Sequence, residues 1–277
     1  MKNAIKINKK KELGSFYTPD FLANYLAKKL INFYVSEYKL TQNPKRIINI
    51  LDPACGDGEL ILAIKNQLAG SAIEVNHDKN LFIGLDIDKK AIVDAKRNLS
   101  ISKNNNIKII NTNGLLPFNN DFDTGWQRLE GHLKIKNKFD LIIANPPWGA
   151  DKNIYKEGLK RNRFELLHGQ YDTSDLFIES SLRLLNIGGF AAFIIPDSLF
   201  YAERLNLRKF LLKNTTIKMI GRFGEGIFKE VNRSCAIIIF QNKQAKKNNK
   251  ILCLRVNKKN RDLLLNEDKR LDLIEKE

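Results

Sequence analysis

No run of eighteen or more apolar residues occurs anywhere in this 277-residue chain, which excludes a conventional membrane-spanning helix from the sequence. Cysteine is scarce. Cys55, Cys235 and Cys253 are odd in number and far apart, and the three histidines (His77, His132, His168) stand at no metal-ligand spacing to them. That pattern excludes a disulfide framework and argues against a zinc site or a catalytic thiol, so no metal is expected. The basic N-terminus, MKNAIKINKKKELGSF, lacks an apolar core and is not a secretory signal. A cytoplasmic, nucleoid-associated protein is the expectation.

Acid is also in short supply. Lys+Arg number 47 against 31 Asp+Glu, a formal net charge of +16. The excess is clustered: five lysines lie in the first eleven residues, and QNKQAKKNNKILCLRVNKKNR, 241–261, holds no acid. Both fit solvated, lysine-rich tails. A third cluster, KNIYKEGLKRNR at 152–163, is different because it follows directly on an unusual strand end. Basic side chains there suit a polyanion held through phosphate contacts.

What is abundant is alternation of short apolar runs with amphipathic stretches. RIINILD (46–52), LFIGLDI (81–87), IKIINTN (107–113), FDLIIAN (139–145), GFAAFIIP (189–196), IKMIGRF (217–223) and SCAIIIF (234–240) read as strands, and ILCLRV offers one more. GELILAIKNQLAG, DKKAIVDAKRNLSIS, SDLFIESSLRLLN and SLFYAERLNLRKFLLK read as helices between them. Continuous Val/Ile/Leu strands separated by helices predict a doubly wound, mostly parallel α/β sheet of seven strands. The short step into the seventh strand predicts that it runs antiparallel. In such sheets ligands sit beyond the carboxyl ends of the strands.

The strand ends are where the chemistry-bearing residues lie. RIINI runs into Asp52-Pro53-Ala54-Cys55-Gly56-Asp57-Gly58 and then a helix. The glycines permit a close ligand approach, and the helix N-terminus offers free N–H groups. Two aspartates beside the loop would repel a pyrophosphate but suit a zwitterion, whose ammonium meets a carboxylate. Taken alone, this is also what a tight βα turn looks like. The next strand ends on Asp86, a carboxylate placed to accept ribose hydroxyls, with Asp88 expected to cap the following helix. A nucleoside carrying an amino-acid tail fits both sites, and S-adenosylmethionine is such a molecule.

With these residues in view the chain resembles the class I methyltransferases, and among them the adenine-N6 DNA methyltransferases of restriction-modification systems whose cofactor motifs precede the catalytic one (gamma-type, Eco57I-like). The resemblance runs from about Gly14 to Phe240. It implies a Rossmann-like fold and cofactor contacts from Tyr17, Thr18 and Pro19 of GSFYTP. It implies the same for Asp52, Pro53, Ala54, Cys55 and Gly56, for Asp86 and Ile87, for Asn113 and Gly114 of NTNGLL, and for Phe177 of DLFIESSLRLL. The family usually carries Asp where this chain has Asn113; the Asn carbonyl oxygen is expected to accept from the cofactor's adenine amino group.

The resemblance also gives a reading of Asn145-Pro146-Pro147-Trp148, which ends FDLIIANPPW. The lone pair of adenine's exocyclic nitrogen is delocalised into the ring. Acceptors at the Asn145 side-chain oxygen and the Pro146 carbonyl, pointed by fixed proline φ angles, would draw that nitrogen toward tetrahedral geometry. Trp148 and Phe228 are expected to stack on a base flipped out of the duplex, and Lys152, Lys156, Lys160, Arg161 and Arg163 to contact DNA phosphates. Asp140, inside the strand, is given no catalytic role.

The same Asn-Pro-Pro-aromatic serves glutamine methyltransferases of release factors and some RNA base methyltransferases, and cytosine N4 poses the same chemistry. Those readings stand as alternatives, with a degenerate cofactor-binding subunit beside them. The expected organisation is a basic arm at 1–13, a catalytic domain at 14–256 and a helical tail at 257–277 suited to docking a partner. No target-recognition domain is expected in the chain, so recognition would come from a separate specificity subunit or a missing C-terminal domain.

Overall fold

The structure, a computed structural model, describes residues 17–38, 47–70, 80–101, 106–119, 121–135, 138–149, 159, 164–228 and 233–256. In chain order the longer elements are α1 (Asp20–Tyr38), β1 (Asn49–Asp52), α2 (Glu59–Gly70), β2 (Leu81–Asp86), α3 (Lys89–Asn98) and β3 (Ile107–Asn111). They continue with α4 (Phe122–Leu133), β4 (Phe139–Ala144), α5 (Thr173–Leu184), β5 (Leu185–Pro196), α6 (Leu205–Asn214), β6 (Thr216–Gly224), β7 (Cys235–Gln241) and β8 (Leu252–Arg255).

One sheet runs through the described residues in the order β3-β2-β1-β4-β5-β7-β6-β8. The pairings β1–β2, β1–β4, β2–β3 and β4–β5 are parallel, and β7 runs antiparallel between β5 and β6. The antiparallel strand therefore falls where the short β6–β7 connection requires it. ILCLRV does add an eighth strand, β8, parallel to β6 at the edge.

Alternation along the strands divides the core into two layers, as the two-residue period of a strand dictates. Ile50, Leu141, Ile143, Phe190, Ala192, Ile194, Ile237 and Ile239 pack with α1, α2 and α3 on one face. Leu51, Ile142, Ala144, Ala191, Phe193, Ile195, Ile238 and Phe240 pack with α4, α5 and α6 on the other. Every residue of β4 is buried, so both of its faces are covered and periodicity alone cannot show in it.

Two helices fall outside the sequence reading. α1 buries Phe21, Leu22, Tyr25, Leu26, Leu30, Ile31 and Tyr34, and its apolar positions are too many to stand out as a stripe. α4 contains Gly125 and Gly131, each costing about 1 kcal/mol against Ala within a helix. It forms because Asp121 caps it through Thr124 N–H and because Phe122, Trp126 and Leu129 are buried. SLFYAERLNLRKFLLK, read as one helix, is instead two short 3-10 turns at Asp197–Phe200 and Ala202–Arg204 followed by α6. β5 starts at Leu185, four residues before the expected strand.

Candidate active site

The carboxyl ends of β3, β2, β1 and β4 stand side by side, and the motif residues occupy them in that order. At the tip of β1, Asp52 is fully buried and its Oδ1 accepts from Ala54 N–H at 3.0 Å. Its Oδ2 is buried with no partner among the described residues. Burial pushes the carboxyl well above the usual range, and the nearby carboxylates of Asp86 and Asp57 push it further, against the Ala54 hydrogen bond. A buried orphan acceptor of this kind calls for a cation or a donor. The next turn is tied to the neighbouring strand: Cys55 N–H donates to Leu85 O at 2.8 Å, and Gly56 N–H donates to Asp86 Oδ2 at 2.9 Å. Gly56 adopts φ +54°, and a Cβ placed there would meet nothing within 4 Å, so the loop borders open space.

At the tip of β2, Asp86 Oδ1 accepts from Asp88 N–H at 2.8 Å. Its carboxyl is raised chiefly by burial, opposed by the N–H groups of Asp88 and Gly56. Asp88 caps α3 by accepting from Lys90 N–H at 2.8 Å, as expected of it. Ile87 beside it is exposed. Asp20, Asp57 and Glu59 add acid at the start of α1 and α2. Burial, then Asp20 and Asp57, raise Glu59 to about 7. In a chain of net charge +16, this cluster of acids at the strand tips suits a cationic ligand. An ammonium at Asp52, a ribose at Asp86 and a backbone-lined loop at Gly56 fit S-adenosylmethionine.

At the tip of β3, the 112–116 turn packs directly on the β1 loop. A Cβ on Gly114 would lie 2.0 Å from Pro53 O, so only glycine fits this approach. Thr112 N–H donates to Asp86 O at 3.0 Å, which ties β3 to β2 one residue beyond their last ladder pair. Asn113 departs from expectation. Its Oδ1 accepts from Leu115 N–H at 2.9 Å and from Leu116 N–H at 3.2 Å. The oxygen expected to meet an adenine amino group is therefore spent on the backbone turn that follows it.

At the tip of β4, Asn145 Nδ2 donates to Thr18 Oγ1 at 3.1 Å. This bond joins residues 127 positions apart and ties the carboxamide to the start of the α1 segment. Thr18 is held because Pro19 O accepts from Leu22 and Ala23 N–H as α1 begins. Tyr17 is exposed beside it. Pro146 is buried and Pro147 half-buried.

The aromatic residues are brought together but not as open walls. Trp148 is 1% exposed and Phe228 4% exposed. Their rings meet edge to face at 5.2 Å and 89°. Trp148 Nε1 donates to Ile194 O at 3.3 Å, anchoring the indole to β5. Phe177 is likewise only 2% exposed, in the α4–α6 core layer. All three rings are therefore packed against apolar neighbours, since burial outweighs exposure for rings of this size.

Residues the sequence reading did not single out brace the loop after Asn145. Gly149 N–H donates to Asp172 Oδ2 at 2.8 Å, and Arg233 Nη1 donates to Trp148 O at 3.1 Å. Asp172 is the N-cap of α5 in a reciprocal capping box with Asp175. Asp175 pairs in turn with the buried Arg204. Burial raises Asp175 to about 7 even against that cation. The D-x-x-D spacing of DTSD ahead of an apolar run was the signal for the cap; nothing in the sequence pointed from it to Gly149. Lys152, Lys156, Lys160, Arg161 and Arg163 lie outside the described residues, as do the 1–13 arm and the 257–277 tail.

Comparison with known proteins shows the fold and the family. The chain is 31% identical over 226 residues to the type II methyltransferase M.BanIII of Aneurinibacillus aneurinilyticus, covering 78% of this chain and 36% of that protein. It is 29% identical over 266 residues to M.VspI of Vibrio sp. (strain 343), covering 91% and 53%. It thus spans between about a third and a half of the length of these curated relatives. Among solved structures, a Listeria monocytogenes protein assigned to the class I S-adenosylmethionine-dependent methyltransferases aligns with a TM-score of 0.64 at 23% identity, over 86% of this chain and 65% of that one. The type I restriction-modification methyltransferase subunit of Streptococcus thermophilus aligns at 0.61 and 18%, over 87% and 47%. The fold is that of the class I methyltransferases. The family described as N-6 DNA Methylase matches residues 3–275, and the chain belongs to that family.

Proposed function

We propose that this protein transfers a methyl group to the N6 of adenine in DNA, as the modification part of a restriction-modification system. The observation that carries the reading is the Asn145 carboxamide, bonded to Thr18 and standing at the strand tip next to the acidic tip of β1. S-adenosylmethionine, once bound, supplies an electrophilic methyl on a sulfonium. The chain's own residues do the rest. Asp52 and the Asp57/Glu59 acids favour a cationic tail, Asp86 receives ribose hydroxyls, and the Pro53–Gly56 loop with Gly114 shapes the floor. Tyr17, Thr18 and Pro19 border the methionine end, with Ala54, Cys55 and Ile87 completing the contacts.

Asn145 Oδ1 and the Pro146 carbonyl would accept the two N–H bonds of the amino group and localise its lone pair. Pro146 and Pro147 hold those acceptors rigid, so the rate comes from positioning and preorganised dipoles. Asp172 and Arg233 keep the loop in place. Trp148, anchored through its N–H, serves as the fixed wall of the base site. Phe228 is the ring that has to part from it when a flipped base enters.

The basic segment at 152–163 would take DNA phosphates. The proposed division is a catalytic unit at 14–256, with the 1–13 arm and 257–277 tail available for docking. A relative of this chain is the type I EcoEI methylase subunit of Escherichia coli, 23% identical over 225 residues. By analogy, recognition of the target sequence comes from a specificity subunit or from a domain outside this sequence. The test is tritiated-methyl transfer to DNA, RNA and protein in parallel, with Asn145→Ala as control. Label on DNA appearing as N6-methyladenine is the expected outcome. Label on protein or RNA, or N4-methylcytosine in the DNA, would overturn it.

A further inference from the structure

We propose that Asn113 meets the cofactor's base as a hydrogen-bond donor, which makes this site tolerant of a 6-oxo purine nucleoside in place of adenosine. The proposal rests on the reading of the β1–β3 tips as the S-adenosylmethionine site. It concerns the polarity of one side chain in that site.

The orientation of the Asn113 amide is chemically forced. The atom receiving Leu115 N–H at 2.9 Å and Leu116 N–H at 3.2 Å must be an acceptor, because backbone N–H groups only donate. It is therefore the oxygen, and the usual ambiguity between amide oxygen and nitrogen does not arise. Both lone pairs of that oxygen are then engaged. The planar amide turns Nδ2 the opposite way, and the hydrogen bonds of the Asn113 side chain among the described residues are those two, both made by its oxygen. Asn113 is 9% exposed, and Nδ2 is not among the fully buried atoms left without a partner, so it keeps an opening through which a ligand acceptor can reach it.

Its place in the sheet assigns the ligand group it faces. Going outward from Asn145, the strand tips are β4, β1, β2 and β3. The reacting methyl belongs beside β4, the charged tail by Asp52 at β1 and the ribose by Asp86 at β2. Strands are about 4.8 Å apart, so the span from β4 to β3 is about 14 Å, the reach of an extended nucleoside with an amino-acid tail. The base falls at β3, where Gly114 seals the turn against Pro53.

A donor aimed at the 6-amino group of adenine is a mismatch, whereas one aimed at ring N1 or at a 6-oxo oxygen is matched. Rotating the amide to present its oxygen would set Nδ2 against two backbone N–H groups and break both bonds of the turn. Asn113→Asp resolves the conflict differently: one carboxylate oxygen keeps Leu115 and Leu116, and the other accepts from the 6-amino group. That variant preserves the turn, so it separates base reading from folding.

The experiment is calorimetric binding of S-adenosylhomocysteine and its deaminated counterpart, S-inosylhomocysteine, to the wild-type protein and to Asn113→Asp, with thermal melts confirming that both are folded. The wild type is expected to bind the two nucleosides within about threefold of one another. Asn113→Asp is expected to shift the ratio about tenfold or more toward the adenosyl compound, the size of a correctly paired against a mispaired buried group. A wild-type preference for the adenosyl compound that Asn113→Asp leaves unchanged would overturn the polarity while leaving the cofactor site intact. Failure of both compounds to bind either protein would overturn the site itself and the inference with it.

Discussion

At the tips of β1 and β2 the polar contacts run between carboxylates and backbone N–H groups: Asp52 with Ala54, Asp86 with Gly56 and Asp88. At the tip of β4 they run between a carboxamide and a hydroxyl, and between carbonyls and an arginine or an indole, with two aromatic rings closed on each other. The first region is a preformed polar cup whose buried acid awaits a cation. The second is a braced loop whose aromatic pair is closed edge to face where the proposed base site lies. A small cationic ligand is served by fixed charges, since desolvated carboxylates cost nothing further to orient when it arrives. A base extruded from a duplex is better served by apolar surfaces that satisfy each other until it comes, because an empty aromatic slot would expose surface to water.

This contrast implies that damage to one region should spare the other, and four substitutions test that from the largest effect downward. Asn145→Ala should lower methyl transfer by about 10²–10³-fold, the range found when one preorganised polar group is removed from a reacting centre. Calorimetry should find cofactor affinity nearly unchanged; a matching loss of affinity would merge the two regions into one. Gly114→Ala should act in reverse. Its Cβ would run into Pro53 O, so the β1 loop must shift, and cofactor affinity should fall by about 5–30-fold, a change of one to two kcal/mol. The fluorescence of Trp148 in a Trp126→Phe background, where it is the sole tryptophan, should not move.

Arg233→Lys is milder. It keeps the charge but weakens the bond to Trp148 O, and kcat should drop about two- to fivefold with the cofactor Kd constant. Equal loss in both would mean that the brace supports the whole cleft. The smallest effect is on pH dependence. Glu59 titrates at about 7 in the folded protein, above the ordinary value of 4.5, so the native state binds more protons than the unfolded chain between those values. Stability should therefore fall as pH rises through that window. Glu59→Gln should remove the slope, gaining on the wild type from pH 5 to pH 8. The gain should stay under about 1 kcal/mol because the residue is half in solvent. Melting curves across that range would show it; a gain that shrinks with rising pH would contradict the sign.

Seven strands and their direction were legible because parallel strands buried on both faces are written as unbroken Val/Ile/Leu runs, and because the β6–β7 link is too short for a crossover. α1 and α4 were not. One has apolar positions on too many sides to show a stripe, and the other carries two glycines that only a cap and three buried rings and side chains offset. In the site, the acid and glycine positions could be read because turns and capping are local: Asp88 caps α3 through a residue two positions on.

The sequence by itself determined the doubly wound sheet and the identity of the residues at each strand tip, since these follow from periodicity and short-range turn chemistry, whereas the order of the tips along the carboxyl edge came from the sheet topology. Only the tertiary structure decided how those residues are spent. It gave Asn113's oxygen to a backbone turn, bound Asn145 to a threonine 127 residues away, closed Trp148 against Phe228 and recruited Asp172 and Arg233 to hold the loop. The reason is competition. A polar atom or an aromatic ring goes to the partner that packing brings nearest, and for these residues that partner is remote in the chain or is the backbone itself.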